Sequence, residues 1–486
     1  MRTVVAQARC ALAVLAALVT VPVAAQAATA APAAPPADRF RPEEVTRYLE
    51  TEMRSQYIPG LAVAVIRDGA PYWMGCYGFA NLEHSVPVHP DTVFESGSIG
   101  KQFTAMSVMV LVADGRLDLD ASIRTYLPEA PASWSKVTLR HLLNHTSGLT
   151  MPQLDPAREY RDEDILRLAY AMPPSVPPGR RWQYSSIGYD LAAIIVTRVS
   201  GEFYGEVLAK RVFAPLGMLT ARVINSRDIV RNRAAGYDHT PEGYKNASQG
   251  SMSMNATGDG SVYLSVLDYV QWEKGLRTRA LLPPRLWAEI LRPAPLAGGK
   301  SYPYGFGWFL HETPDLGPIW EHEGSSSGFR ADIQRFERDG VTFVIMMNSS
   351  TADAGKLLQG VAARYDSRYA PPAHPIVDRL PTLTRAAESA LHRLADGELG
   401  PADFPDTAPD GVRVAMAMFR GRLNEVGDCG PLEVYEEQDA GDRNDRRYRA
   451  SCRHGVLEAS VTADSGGHVY WLRTEVISAL DEPLVD

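Results

Sequence analysis

The sequence predicts an α/β protein in two parts, in which strand hairpins and helices form a larger first part and a small α+β unit follows. Three observations support this prediction. At 486 residues, the chain exceeds the size at which one hydrophobic core usually stops growing. Two strand hairpins lie far apart along the chain, with helical patterns between them. From about Pro375 the pattern changes to two helices followed by four short strands, the order typical of an α+β domain.

The two hairpins give the clearest strand signals. Their strands are predicted over residues 61–66 with 72–79, and over residues 331–336 with 341–347. Arg67-Asp68-Gly69 joins the first pair and Asp339-Gly340 the second, and Asp-Gly is a common hairpin turn. Between the hairpins, Thr138 has the residue type and position of an N-cap for a short helix over residues 139–143.

The small α+β unit is predicted over residues 376–486. A helical stripe over residues 383–394 ends at Gly397, and a second helical pattern spans residues 412–419. The four strand candidates lie near residues 432–437, 447–452, 456–461 and 468–472. Cys429 and Cys452 lie on neighbouring strand candidates and could form a disulfide in an oxidising compartment, worth about 3 kcal/mol. Cys76 would then remain unpaired, as a buried small side chain.

The N-terminus has the pattern of a signal peptide, predicted over residues 1–27. Arg2 and Arg9 precede the uncharged stretch 10–25, and Ala25-Gln26-Ala27 has the form of a signal-peptidase site. As a helix the uncharged stretch would be about 24 Å long, short for a bilayer core. An Ala/Pro-rich spacer over residues 28–41 follows. We therefore expect a periplasmic or secreted protein without a stable membrane span after cleavage, although uncleaved anchoring is the competing interpretation.

Net charge and histidine spacing argue against several function classes, although a local basic patch could still exist. The formal net charge of -9 argues against nucleic-acid or anionic-membrane partners. None of the 11 histidines forms a His-Glu-x-x-His pair, which argues against a metal hydrolase. The sequence therefore implies no metal and no cofactor, and it gives no indication of the oligomeric state.

The stretch Glu95–Phe103, ESGSIGKQF, contains the first candidate catalytic pair. Ser98 stands three residues before Lys101, and apolar residues with helical spacing follow as far as Asp114-Gly115. Residues three apart are neighbours on a helix face, so the Lys101 amine could reach the Ser98 oxygen. On this motif alone, a helix cap is the favoured interpretation of Ser98. The same spacing recurs at Ser133 and Lys136 without such a helix behind it, and there the lysine is expected to be solvated.

Five segments occur in an order seen in one family: DTVFESGSIGKQFTA, HLLNHTSGL, PGRRWQYSSIGYDLAAIIVTRVSG, YGFGW and HEGSSSGF. Over roughly residues 42–369 the chain resembles the serine β-lactamase and penicillin-binding protein family. Within it, the resemblance is to class C β-lactamases, D-alanyl-D-alanine carboxypeptidases and related esterases. The resemblance implies a β-lactamase/transpeptidase-like fold, an antiparallel sheet flanked by helices, for a domain over residues 42–370. The unit behind it is similar to NTF2-like or cone-shaped domains that follow some members.

The resemblance also implies roles for site residues. Ser98 takes the place of the nucleophile and Lys101 that of its lysine, while Tyr184 matches the tyrosine of the Tyr-x-Asn motif and could relay a proton. The asparagine of that motif is replaced by Ser186, which puts efficient β-lactam turnover in doubt. Tyr244-Lys245-Asn246 also fits the motif, but it lies in a polar loop.

The Lys-Thr-Gly strand of the family is matched by His322-Glu323-Gly324, which resembles variants of its esterase and peptidase relatives. His322 could supply a hydrogen-bond donor or partial positive charge, unless it is only an exposed loop residue. The backbone N–H groups of Ser325 and Ser98 would form the oxyanion hole. Glu323 would be unfavourable there unless its carboxylate points away.

Gly324 to Gly328 also matches the nucleophile elbow of α/β-hydrolases, with Ser326 as nucleophile, but a strand rather than a helix is predicted to follow.

These residues predict a serine hydrolase that forms an acyl-enzyme with a small-molecule or peptide substrate. An ester, a D-amino-acid peptide and a β-lactam all present a carbonyl that such a site could attack. No motif in the sequence chooses among them. The alternative is a non-catalytic module that binds peptidoglycan or another ligand on the same scaffold.

Overall fold

The computed structural model describes residues 40–477, apart from 153, 156–157, 224–227, 248–257, 261, 372–373, 401–402, 405–415, 417–418, 422 and 425. The predicted signal peptide and nearly all of the spacer lie outside these residues, as does most of the second helical pattern at 412–419. No helix in the described part is long and apolar enough to cross a bilayer.

The named helices and strands alternate irregularly along the chain. The helices are α1 (Pro42–Ser55), α2 (Lys101–Ala113), α3 (Leu139–Leu143), α4 (Asp162–Tyr170), α5 (Ser186–Ser200), α6 (Tyr204–Leu208), α7 (Ala214–Leu216), α8 (Val266–Arg277), α9 (Pro284–Ile290), α10 (Ala354–Tyr365) and α11 (Pro381–Asp396). The strands are β1 (Gly60–Arg67), β2 (Ala70–Asn81), β3 (Val86–Pro87), β4 (Phe94–Glu95), β5 (Arg222–Val223), β6 (Tyr237–Thr240), β7 (Gly243–Asn246), β8 (Val262–Leu264), β9 (Ala294–Pro295), β10 (Ser301–Tyr302), β11 (Phe309–Thr313), β12 (Gly317–Ser326), β13 (Phe329–Phe336), β14 (Val341–Met347), β15 (Glu433–Asp439), β16 (Arg443–Cys452), β17 (Gly455–Asp464) and β18 (Val469–Ile477).

Both predicted hairpins belong to one antiparallel sheet. Its strand order is β11-β12-β13-β14-β1-β2-β3, so that β1 pairs with β14 and strands from the two ends of the domain lie side by side. The strands are longer than predicted by one or two residues at several ends, because the sequence pattern does not show where pairing stops.

The sheet separates two layers of apolar side chains. Successive residues of β1 point to opposite faces: Ala62, Ala64 and Ile66 join one core, and Leu61, Val63 and Val65 join the other. The first core includes α2, α5 and α8, and the second includes α1 and α10. Both faces of β1 are therefore buried, which explains why its sequence is continuously apolar rather than alternating.

The C-terminal part has its own antiparallel sheet, with the order β15-β16-β17-β18. Apolar residues of α11 pack on it, with Ala387 and Leu394 among them. The helix ends at Gly397 as predicted, and this glycine has the left-handed conformation common at helix ends. Cys429 and Cys452 form a disulfide. The helix over Leu139–Leu143 is capped by the Thr138 side chain, also as predicted.

Candidate active site

Ser98 lies in a single 3-10 turn, Gly97–Gly100, directly before α2. The N-cap residue of this turn is Ser96 and that of α2 is Gly100, so Ser98 does not cap either element. The turn packs against β12 at unusually short range. A Cβ on Gly97 would collide with the Ser325 nitrogen, and a Cβ on Gly324 would collide with the Ser96 carbonyl oxygen. These two glycines let the backbone of the serine turn lie directly against β12.

Lys101 is the first residue of α2 and is completely buried. Its Nζ donates to the Ser98 Oγ at 3.1 Å and to the Asp259 carbonyl oxygen at 2.7 Å. The predicted contact between the two side chains is therefore present in the structure. A buried amine without partners would be costly, and here both hydrogen-bond acceptors lie within the site.

The charge of Lys101 is set by opposing effects. Burial acts to lower its pKa, but Tyr184, Asp259 and Asp190 outweigh burial and raise the pKa above its ordinary value. The Asp259 carboxylate is 4.0 Å from Nζ, and the Tyr184 ring centre is 5.0 Å away. The pKa of the Asp190 carboxyl is raised well above its ordinary value, by burial first and by Asp259 second. The amine consequently lies among groups that can share or exchange its proton.

Tyr184 is on an extended segment that leads into α5. The Gln183 N–H donates to the His145 carbonyl oxygen at 2.9 Å, and the Ser185 N–H donates to His145 Nδ1 at 3.1 Å. The His145 and Tyr184 ring centres are 4.4 Å apart. Tyr184 is 38% exposed to solvent. It is thus held mainly through the backbone of its neighbours.

His322 is buried on β12, and burial first, then the charge of Lys101, lowers its pKa to about 3. The ring is therefore neutral. Its Nδ1 lies 2.7 Å from the Glu323 carbonyl oxygen, which can only accept, so Nδ1 carries the proton. The Tyr304 hydroxyl then donates to Nε2 at 3.1 Å. The exposed-loop interpretation of His322 is wrong, because His322 lies in strand β12 and its side chain is buried.

Glu323 points away from Ser98. Its carboxylate lies near Gly355 at the start of α10, which packs on the other face of the sheet, and it pairs with Arg473 of β18 at 3.1 Å. Ser325 follows on β12, beside Gly97, and Ser186 begins α5 two residues after Tyr184. Ser98, Lys101, Tyr184, His322 and Ser325 thus converge in one place.

The rival motifs lie in other settings. Ser326 ends β12 and a turn leads into β13, so the strand-then-helix context of a nucleophile elbow is absent at that position. Tyr244 lies on β7 of a two-stranded hairpin and is 42% exposed. Ser133 and Lys136 are both exposed. Neither Ser326 nor the other two motifs has the surroundings of Ser98.

Several neighbours of the site were not predicted from the sequence. Asp259 and Asp190 flank Lys101, while His145 and Tyr304 surround Tyr184 and His322. His145 and Tyr304 belong to segments that carried the resemblance, so a signal for them existed. Asp259 lies 158 residues after Lys101, and nothing local marks it. Within the described residues, no group of three or more His, Cys, Asp or Glu is arranged to hold a metal ion.

Comparisons with known proteins identify the family of the chain. A family model described as Beta-lactamase matches residues 45–365. The chain is 27% identical to penicillin-binding protein 4* of Bacillus subtilis, over 56% of this chain and 64% of that protein. It is 28% identical to a D-aminopeptidase of Gluconobacter oxydans, over 64% of this chain and 60% of that protein. The chain thus spans less than two thirds of the length of these relatives.

Among solved structures, the D-amino acid amidase of Ochrobactrum anthropi in complex with D-phenylalanine superposes with a TM-score of 0.56. That match has 23% identity and covers 66% of this chain and 97% of the amidase chain. At this identity the likeness shows the fold, and it confirms the predicted antiparallel sheet flanked by helices. With the family model covering most of the first part, the predicted resemblance is confirmed: the chain belongs to the beta-lactamase family.

Proposed function

We propose that the protein is an exported serine hydrolase that forms an acyl-enzyme at Ser98 and hydrolyses amides or short peptides of D-amino acids. The observation that carries the reaction type is the completely buried Lys101 amine, 3.1 Å from the Ser98 oxygen. A serine hydroxyl is a weak nucleophile until a neighbouring group accepts its proton. Lys101 and Tyr184 are the groups placed to do so.

In the first step, the Ser98 oxygen attacks the substrate carbonyl and its proton passes to the Lys101–Tyr184 pair. Nearby Tyr184 and Asp259 raise the pKa of Lys101 against the effect of burial, so the competent form of the site is the one in which this amine is free to accept a proton. The bond from the carbonyl carbon to the leaving nitrogen then breaks, and the nitrogen takes the proton from the pair. Water repeats the sequence on the Ser98 ester and releases the acid.

The developing oxyanion needs donors that are already in place. The glycine contacts that press the serine turn against β12 bring the Ser325 N–H beside Ser98, and we assign the backbone N–H groups of these two residues to the oxyanion hole. His322 acts as a neutral group in this scheme. Its Nε2 accepts a hydrogen bond from the Tyr304 hydroxyl, and its ring centre lies 6.1 Å from that of Tyr184.

The substrate class rests on the relatives. A D-aminopeptidase, a D-amino acid amidase and a penicillin-binding protein are among the proteins that this chain resembles. Ser186 in place of asparagine removes a side-chain amide that could hold a substrate amide. We therefore expect β-lactams to acylate Ser98 without rapid release.

Export is supported by the signal-peptide pattern and by the Cys429–Cys452 disulfide, since disulfides persist in oxidising compartments. The mature protein is expected in the periplasm or the medium. N-terminal sequencing of the purified mature protein should begin near residue 28, whereas an N-terminus at Met1 would contradict cleavage.

The test of the proposed function compares enantiomers. Amides and dipeptides that begin with D-alanine or D-phenylalanine are supplied to the wild-type protein, with the matching L-compounds as controls and Ser98→Ala as the inactive reference. Release of free D-amino acid, at least about tenfold faster than from the L-compound, is expected. Equal rates for both enantiomers would contradict the substrate class while leaving the hydrolase intact.

The alternative is a non-catalytic binding module, for which the altered Ser186 is the one motivating observation. It predicts measurable binding of a D-amino-acid peptide without turnover of any amide, ester or β-lactam. Retention of Ser98, Lys101 and Tyr184 in contact geometry favours the enzyme.

A further inference from the structure

The C-terminal sheet contacts the segment that precedes Tyr184. The turn between β15 and β16 lies against residues 180–182, where the Trp182 N–H donates to the Ala440 carbonyl oxygen at 3.3 Å. Asp442 lies 3.8 Å from the Arg180 guanidinium and 3.6 Å from that of Arg181. Gly441 has a positive φ of 105°, and a Cβ there would come within 2.9 Å of the Arg180 carbonyl oxygen. The turn is therefore closely fitted to this segment.

A second set of contacts runs through aromatic rings. Trp182 stacks on Tyr302 with ring centres 3.9 Å apart and an interplanar angle of 9°. The Tyr302 hydroxyl donates to Asp445 of β16 at 2.7 Å, and the Thr462 hydroxyl donates to the other oxygen of Asp445 at 2.6 Å. The carboxylate that holds Tyr302 is thus itself held within the C-terminal sheet.

These contacts complete the support of Tyr184. His145 of the first part binds the N–H groups of residues 183 and 185, and the C-terminal sheet binds the N–H of Trp182. The ring of Trp182 lies 6.3 Å from that of Tyr184 and 5.7 Å from that of Tyr304. Backbone N–H groups on both sides of the candidate proton-relay residue are therefore held, by His145 and by the turn between β15 and β16.

The same sheet reaches the site strand at another point. Arg473 of β18 pairs with Glu323, the residue between His322 and Gly324 on β12. This contact is separate from the turn at residues 440–442. The C-terminal sheet thus contacts both segments that carry candidate site residues.

We propose that the C-terminal sheet is a positioning element of the active site, in which Asp445, through Tyr302 and Trp182, holds Tyr184 in place for proton transfer. This inference rests on the proposed function. Tyr184 is partly exposed, so its own packing does not hold it from every side. A displacement of about 1 Å at a reacting group can lower a rate by about 100-fold, so a remote support of this kind affects catalysis.

Tyr302→Phe tests the proposal, with Tyr369→Phe as the matched control. Tyr302 and Tyr369 each donate one hydrogen bond of 2.7 Å to an aspartate, but the Tyr369 pair with Asp339 lies in the core on the α10 side. The measurements are the rate of Ser98 acylation by an activated ester, the kcat and KM for a D-amino acid amide, and the pH profile of kcat.

Tyr302→Phe is expected to lower acylation and kcat by about tenfold or more, with KM within about twofold and a shifted pH profile. Tyr369→Phe should leave all three measurements unchanged. If the two variants behave alike although wild-type protein is acylated at Ser98, the inference is overturned and the proposed function stands. If wild-type protein is never acylated, both fall together.

Substitutions of Asp445 keep the test open if Tyr302→Phe folds poorly. Asp445→Asn keeps the shape and can still bond both hydroxyls, because its amide oxygen accepts from Tyr302 while its nitrogen donates to Thr462. It should acylate within about twofold of wild type, whereas Asp445→Ala should lose about tenfold or more. Equal acylation rates in these two variants, at matched thermal stability, would contradict the proposal.

Discussion

Two Ser-x-x-Lys motifs occur in this molecule, and only their surroundings distinguish them. At Ser98 the lysine is completely buried, 3.1 Å from the serine oxygen, with Tyr184 and two carboxyl groups nearby. At Ser133 both the serine and Lys136 are exposed, and Trp134 between them is the buried residue. The second motif therefore supports packing through its tryptophan, and its polar residues face solvent.

The surroundings of Ser98 and Lys101, and not their spacing alone, make them a candidate catalytic pair. The serine and the lysine are three residues apart in both motifs, and at Ser98 the two side chains are in contact. Burial then makes interactions among charged and polar groups stronger, since solvent no longer screens them. Only at Ser98 do glycines also press the turn against a strand that can supply an oxyanion donor. Matched substitutions in the two motifs separate these contributions to acylation.

The largest difference is expected between alanine substitutions of the two serines. Ser98→Ala should abolish acyl-enzyme formation and lower turnover by about 10⁴-fold or more, as removal of a nucleophile does in other serine hydrolases. Ser133→Ala should leave both unchanged. Intact-mass spectrometry after exposure to a β-lactam and to an activated ester measures the adduct directly. A persistent adduct in Ser98→Ala would disprove the assignment of the nucleophile.

Local sequence pattern predicted the parts of this site that lie within one element. The hairpins follow from apolar and β-branched runs, and the Ser98–Lys101 contact follows from helical spacing. The partners of Lys101 could not be predicted in the same way, because Asp259 is brought in by the fold across 158 residues. The neutral state of His322 likewise depends on burial and on the nearby charge of Lys101, which only the assembled fold provides.

The next largest difference in acylation rate is expected between substitutions of the two lysines. Lys101→Gln removes the amine from the pair that accepts the serine proton and should lower the acylation rate by about 10³-fold, within the range of general base catalysis. Lys136→Gln removes an exposed charge and should change the rate by less than twofold. Stopped-flow acylation with an activated ester measures both. If Lys101→Gln lowers the acylation rate no more than Lys136→Gln does, the buried amine of Lys101 takes no part in catalysis.

Tyr184 and Tyr244, the two candidates for the tyrosine of the Tyr-x-Asn motif, extend the comparison to the proton relay. Tyr184→Phe keeps the ring beside His145 and removes the hydroxyl, and should lower kcat by about 100-fold. The matched change Tyr244→Phe, in the exposed hairpin of β6 and β7, should have no effect on kcat. The ratio of kcat between the two variants is the measurement. A ratio near one would place the relay on Lys101 alone.

The smallest effect concerns the residue three positions before each serine, which is Glu95 in the first motif and the apolar Ala130 in the second. Burial raises the pKa of Glu95 to about 7, against 4.5 ordinarily, although the Tyr263 hydroxyl 2.6 Å away opposes the rise. Between these two pH values the folded protein holds a proton that the unfolded chain has lost. The free energy of unfolding should therefore fall as pH rises from about 4.5 to 7, by up to about 3 kcal/mol, and then level off.

Glu95→Gln keeps the shape of the protonated side chain and cannot ionise, so it should remove this decline. Urea unfolding of wild type and Glu95→Gln at pH 5, 6, 7 and 8 makes the comparison, and the two proteins should be most alike at the acid end. An equal slope in both would show that the carboxyl is ionised in the folded state. The folded protein would then hold an ionised, half-buried carboxylate three residues before the nucleophile, whereas Ala130 has no group to ionise at the same position of the Ser133 motif.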